Sequence, residues 1–382
     1  MPRGTIPHRD LEEPVLPADN PFAAPSPLEY ELPQFDLIRE EHYRPAFEAG
    51  MAEHLTEVEA IASGDEEPTF ADTLEALERS GQLLGRVGNV FFNLSGSDST
   101  EGIRAIEAEM APKLAAHHDA VVLNPKLFAR IDALYRRRED LDLDGEQLRL
   151  LERYHTDFVR AGAALGEDDQ ARLRSLNEEL SELTTAFSNH LLADTNDSAV
   201  HVLDRSELEG LSDDAVAAAE LAAKARGLDS GYLITLTLNT GQPVLASLRN
   251  RELRRRVHEA SVRRGARGNE HDTRETLARI VALRAERAKL LGYEHHAAYV
   301  AEDETAGSVG AISDMLGRLV APAVANAERE AGDLERALLA DGEEGPLQPW
   351  DWAYYAEKVK AERFEVDDAA LRPYFEIDRV LR

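Results

Sequence analysis

Twelve histidines, no cysteine and 73 acidic residues set the chemistry open to this 382-residue chain. The most demanding test is His-Glu-x-x-His on a helix. There, two imidazoles one turn apart hold a metal ion, and the glutamate acts as base on the metal-bound water. No histidine here begins that pattern. His258-Glu259 comes nearest, but Val262 stands where the second imidazole is needed, so His258 reads as a surface or helix-packing residue. His295-His296, with Glu294, Glu302 and Asp303 nearby, has the residue types of a metal cluster. Adjacent helical residues point about a third of a turn apart and share one ion poorly. The pair is therefore expected to cap or line the end of the preceding helix, and His117-His118-Asp119 reads the same way. His155 and Asp157 lie two apart and face differently, which argues against an acid–base pair. No Gly-x-Ser-x-Gly elbow and no phosphate-cradling Gly-x-x-x-x-Gly-Lys occurs, and without cysteine no thiolate can serve as nucleophile or metal ligand.

Two other groupings stand out. Arg249, Arg251, Arg254, Arg255, Arg256, Arg263, Arg264 and Arg267 crowd one stretch of an otherwise acidic chain. They could line a channel that receives a peptide C-terminal carboxylate, or form a solvated helix face that neutralises acidic neighbours. Without interleaved aromatics an RNA-binding role is disfavoured. Pro349-Trp350-Asp351-Trp352-Ala353-Tyr354-Tyr355 holds both tryptophans of the chain. A knot this dense reads as packing, with Asp351 placed to favour the first turn of a helix.

The elements that must carry these residues are helices. Thr69 with Asp72 can cap a helix whose apolar stripe is Phe70, Leu74, Leu77, Leu84 and Val87. Asn124-Pro125 reads as N-cap and first helical position, followed by Leu127, Phe128, Ile131 and Leu134. Asp144 opens a further helix, with Leu148, Leu151, Tyr154 and Phe158 turned inward. Residues 166–193 place Leu173, Leu176, Leu180, Leu183, Phe187 and Leu191 on one seam, which calls for another long helix of the same chain as partner. The pattern then changes. Ala199 to Asp204 is β-like, Ser212 to Arg226 is an Ala-rich helix closed by Gly227, and Tyr232 to Leu238 alternates as a strand. A turn at Asn239-Thr240-Gly241 would return that strand through Pro243-Val244-Leu245. Helices resume at 250–264, 273–291 and about 308–340, the last bent near Pro322. The pattern from Ala369 to Arg382 is unfinished where the sequence ends, which reads as a truncation.

The organisation expected is an extended Pro-rich arm (1–34), an N-terminal helical domain (35–197), a mixed segment with short strands (198–248) and the start of a second helical region (249–382). A formal net charge of -30 disfavours nucleic acid and anionic membranes as partners, and favours neutral or cationic ones such as Lys- or Arg-bearing peptides only weakly. No run of about 18 apolar residues spans a membrane, and Met1 to Asn20 lacks the apolar segment of a signal peptide. A soluble, cytoplasmic protein is expected.

Several segments, taken in order, resemble the thimet oligopeptidase/peptidyl-dipeptidase family, bacterial peptidyl-dipeptidases above all. They are Asn20-Pro21-Phe22 with Leu32-Pro33, Pro68-Thr69-Phe70 with Thr73-Leu74, and Phe91-Phe92-Asn93-Leu94. Gln242 to Arg249, Leu290-Leu291-Gly292-Tyr293, Pro349 to Tyr355 and Leu371-Arg372-Pro373-Tyr374-Phe375-Glu376 follow. The resemblance implies a mainly α, multi-helical N-terminal lobe of a clam-like oligopeptidase with one small β-hairpin or short sheet element. It implies zinc-dependent hydrolysis of short peptides, with release of C-terminal dipeptides, by a protein that is monomeric at full length. The family's zinc ligands, base and transition-state groups would all follow Arg382. No catalytic or metal residue is therefore assigned in this chain, its substrate-binding residues are left open, and it is expected to be inactive alone. The alternative is a non-enzymatic helical module that binds peptides or serves as a scaffold; an intact enzyme of unrelated mechanism is a third reading.

Overall fold

The computed structural model describes residues 16–237, 241–364 and 371–380, without the side chains of Gly241, Gln242 and Arg372. The chain divides into two units. The first holds Met1–Phe187 and Ala278–Tyr299, the second Ser188–Leu277 and Val300–Arg382.

The helices of the first unit are α1 (Tyr43–Ala62), α2 (Ala76–Arg79), α3 (Gln82–Ser97), α4 (Glu101–Val122), α5 (Pro125–Arg136) and α6 (Gly145–Arg160). The first stretch of α7 (Glu167–Asp197) and most of α11 (Arg274–Leu290) complete the set. Three of them, α4 to α6, begin where side-chain acceptors meet the open amides of a first turn. Thr100 accepts from the Ile103 amide, Asn124 from the Lys126 and Leu127 amides ahead of Pro125, and Asp144 exchanges bonds with Gln147 in a capping box. Thr69 and Asp72 cap each other as expected. The single helix expected after them is broken, however. A π-helical turn (Ala71–Glu75) leads into α2, Ser80 is extended, and Gly81 adopts φ +69° before α3 starts. Leu84 and Val87 therefore belong to a second helix, because only a residue without Cβ takes that left-handed step cheaply.

Tyr43, Phe47, Val87, Phe91, Ile106 and Met110 of α1, α3 and α4 form one buried core, and Phe22 of the N-terminal arm is buried in it. Asn20 fastens the arm by donating to the His42 carbonyl at 3.1 Å. The leucine seam of α7 finds its partner in α11, where Leu176 and Leu180 pack on Ile280 and Leu283. Each such fully buried side chain contributes about 1.5–3 kcal/mol.

The second unit contains β1 (Val200–Val202), α8 (Asp213–Ala225), β2 (Tyr232–Ile234), α9 (Gly241–Ser247), α10 (Arg251–Val262), α12 (His296–Glu302, from Val300 on), α13 (Val309–Ala340), α14 (Trp352–Phe364) and α15 (Ile377–Val380). Its two strands pair antiparallel, Val200 opposite Ile234 and Val202 opposite Tyr232. The small sheet is thus present, but its connection differs from the hairpin expected. The partner of β2 is β1, and Pro243-Val244-Leu245 lie in α9, where proline suits a first helical turn. Residues 238–240, at the expected turn, lie outside the described residues. Leu248, Leu253 and Val257 close the core beneath the strands. Farther on, Leu334 and Leu338 of α13 pack against Tyr355 of α14. The ending read as one amphipathic pattern is divided by a 3-10 turn at Arg372–Tyr374 before α15, since Pro373 cannot continue a helical ladder; residues 369, 370, 381 and 382 lie outside the described residues.

Candidate functional site

The arginine cluster and the aromatic segment, separate in sequence, converge in the second unit on Asp351. Asn250 caps α10 by accepting from the Leu253 amide, and this start sets Arg251 and Arg254 one turn apart on the same face. Arg251 grips the Asp351 carboxylate with two nitrogens, Nε to Oδ1 at 3.0 Å and Nη2 to Oδ2 at 2.7 Å. Arg254 Nη2 adds a third bond to Oδ1 at 3.0 Å, and the Gln348 amide donates to Oδ2 at 3.0 Å. Burial alone pushes the Asp351 carboxyl up, but these donors outweigh it and hold it below the usual carboxylate range. Arg254 also donates to the carbonyls of Leu248 and Arg249, and its guanidinium lies 4.3 Å from the Tyr354 ring centre. Beside this node, Arg251, Glu252, Arg255, Gln348 and Trp350 line a groove of about 480 Å³.

Most of the remaining members of the cluster are engaged as well. Arg249 pairs with Glu209, Arg255 with Glu252 and Glu259, Arg256 with Glu207, and Arg267 with the buried Asp194. Burial raises the Asp194 carboxyl, but Arg267, Asn269 and the Gly265 amide together hold it at about 2. Arg264 donates to the carbonyls of Ser261 and Leu236, and Arg263 is exposed. The groove therefore offers an incoming carboxylate only cations already engaged, so the channel reading finds no support in this cluster. The solvated face that neutralises acidic neighbours describes Arg249, Arg255 and Arg256, but not Arg254, which is 1% exposed beside the fully buried Asp351.

The histidines do not gather. His258 sits with its ring 6.1 Å from that of Trp350. His295 Nδ1 accepts from the Ala298 amide at 3.0 Å, so it caps the start of the next helix rather than the end of the preceding one. His296 lies against Tyr299, with ring centres 6.2 Å apart. His155 stacks on Tyr135 at 3.7 Å and meets Asp132, while Asp157 pairs with Arg153. His117 is buried and shares a hydrogen bond with His54 at 2.9 Å. Among the described residues no three His, Asp or Glu side chains converge where they could hold a metal ion.

A second cavity, of about 420 Å³, lies wholly in the first unit. Its lining includes His118 and Asp119 of α4, Arg160 of α6, Asn177 of α7, and Arg284 and Arg287 of α11, with Tyr299 at one side. Of these the sequence reading had singled out only His118 and Asp119. Arg284 and Arg287 carry no local signal, since two arginines in a charged helix look like any solvated face.

A mainly helical protein with a buried Arg–Asp node under an aromatic segment is what the structure defines on its own. Residues 244–382 match the model of peptidase family M3. The chain is 40% identical over 364 residues to a dipeptidyl carboxypeptidase of Escherichia coli, covering 95% of this chain and 53% of that protein. It is 30% identical to the oligopeptidase A of Escherichia coli, over 93% and 52% of the two chains. A probable cytosolic oligopeptidase A of Arabidopsis thaliana is 26% identical over 92% of this chain. The likeness to the M3 family model is thus confined to residues 244–382, the likeness to the dipeptidyl carboxypeptidase and oligopeptidase A sequences runs along nearly the whole chain, and the chain spans about half the length of the curated relatives it matches.

Proposed function

We propose that the chain is the helical portion of a zinc-dependent oligopeptidase that hydrolyses short peptides and releases C-terminal dipeptides. The observation that carries this is the 40% identity to a dipeptidyl carboxypeptidase sustained over 95% of the chain. The metallopeptidase motif His-Glu-x-x-His does not occur in this sequence, so no residue of the chain is assigned to bond cleavage. The zinc, and the base that would act with it, belong on this reading to sequence outside these 382 residues. Among the described residues no helix is long and apolar enough to cross a membrane. A chain without cysteine needs no oxidising compartment, which fits a cytoplasmic location.

The test is to express the 382-residue chain by itself and joined to the coding sequence that follows codon 382 in its gene. Release of a dipeptide from an N-blocked tetrapeptide is then measured with zinc and with chelator. Zinc-dependent release by the longer protein and none by the chain alone is expected. Turnover by the 382-residue chain in the presence of chelator would sink the proposal.

A further inference from the structure

The cavity of the first unit is lined by Arg284, Arg287 and a single carboxylate that pairs with neither of them. Arg287 is half-buried in its wall, its Nη1 donating to Asn177 Oδ1 at 3.3 Å while its buried Nε has no hydrogen-bond partner among the described residues. Arg284, one turn earlier on α11, stands exposed at the lining of the same cavity. Neither guanidinium forms an ion pair with any described carboxylate, whereas most arginines of the chain do. Burial disfavours the charge of Arg287, and Arg284 adds its repulsion. Together with burial the two lower the proton affinity of the neighbouring His296.

Asp119 is the lone carboxylate among the residues lining the cavity; its charge favours that of Arg287, but the two form no ion pair. It is 3% exposed and takes its bonds from Asn177 Nδ2, at 2.9 and 3.2 Å to its two oxygens. Burial pushes its carboxyl above the usual range. Asn177 thus stands between the two: it donates to Asp119 and accepts from Arg287, which fixes both amide ends and aims the guanidinium. The same lining holds the half-buried Leu291 and the deeply buried Leu173 and Leu180 of α7, so apolar surface adjoins the two guanidinium groups. Two unpaired cations beside an apolar wall suit an oxyanion carrying a short hydrocarbon group.

We infer that this cavity is a binding site for a small organic carboxylate, held by Arg284 and Arg287 with its apolar tail against Leu173, Leu180 and Leu291. The site is independent of the peptidase reading and of any metal.

The test uses the 382-residue chain and 4-methylpentanoate as probe, with 4-methylpentanamide and inorganic phosphate as controls, in a ligand-observed NMR titration. Saturable binding of the acid and none of the amide is expected, with phosphate weaker because it leaves the apolar wall uncovered. Affinity should weaken as salt rises, since the mouth of the site is open to solvent. R284Q alters an exposed residue and should preserve the thermal unfolding transition while lowering affinity by about tenfold or more. R287M should abolish binding; if it unfolds, R284Q alone decides. Equal binding of acid and amide, an affinity unchanged in folded R284Q, or no saturation by the acid would each overturn the assignment.

Discussion

Arg254 and Asp351 meet at 3.0 Å with 1% and 0% of their surfaces exposed, although 97 residues separate them in the chain. Arg251 makes the contact a triad, and the Tyr354 ring covers the Arg254 guanidinium. Such a node gains little against an apolar replacement of both partners, yet losing one partner leaves a buried charge uncompensated. Asp351→Ala should therefore cost about 3–5 kcal/mol. Urea unfolding checks this, and a loss below about 1 kcal/mol would show that Arg254 finds another acceptor. Arg254→Lys should also destabilise, because an ammonium cannot reach Asp351 and two carbonyls at once.

The His54–His117 pair predicts an acid-sensitive stability. Burial, with the charges of His54 and His118 adding to it, lowers His117 to about 4, and burial also lowers His54, against the pull of Glu57. A depressed folded value means that the unfolded chain binds more protons between about 6.5 and about 4. This contribution is thus complete above about 6.5 and is lost as pH falls toward 4, to the extent of about 3 kcal/mol at most. Subtracting the pH–stability curve of His117→Gln from that of the natural chain isolates the effect from the buried carboxylates. A flat difference between pH 7 and pH 4 would contradict it.

Gly210 has φ +101°, and a Cβ built there would stand 2.1 Å from the carbonyl oxygen of Ser247 at the end of α9. The neighbour is backbone, so it cannot swing away as a side chain would. Gly210→Ala should cost about 2–4 kcal/mol, combining positive-φ strain with the displacement of α9. Gly227→Ala, at φ +71° but with open space around the new methyl, serves as the control and should cost about 1 kcal/mol.

Helix α13 exposes Met315, Leu316, Leu319, Val320 and Val324 along one stretch. An apolar patch of this extent on a free protein promotes association. The 382-residue chain by itself should sediment with a concentration-dependent mass, and L316S/L319S/V320S should restore a single monomeric species with unchanged helicity. A monomeric natural chain at about 100 μM, a concentration at which even weak self-association becomes visible, would remove the prediction.

Leu176 of α7 is fully buried against α11. Leu176→Ala should cost about 2–5 kcal/mol, and the exposed Leu192 of the same helix, changed to Ala, should cost less than about 0.5 kcal/mol. Equal losses at the two positions would mean that the seam does not pack as described.

What the residues settled by themselves was local. The Asn124 and Asp144 caps, the glycine that ends α8 and the leucine seam of α7 follow from side chains acting within one or two turns, and each is found in place. The missing His-Glu-x-x-His is likewise a matter of reading along the chain. Where sequence reasoning failed, the deciding contact was distant. The pairing of β2 with β1 rather than with residues 243–245 depended on a strand about 30 residues earlier. The break at Gly81 accompanies a bond from its amide to Glu57 on α1. The arginine cluster showed its charge in the sequence but not its partner, since a carboxylate 97 residues away leaves no local mark on Arg254. Arg284 and Arg287 became distinctive only when α4, α7 and α11 brought their walls together and left both arginines without an ion pair among the described residues. Periodicity and capping are written into neighbouring residues; which charges end up paired, buried or alone is decided by the packing of helices that only the folded chain brings side by side.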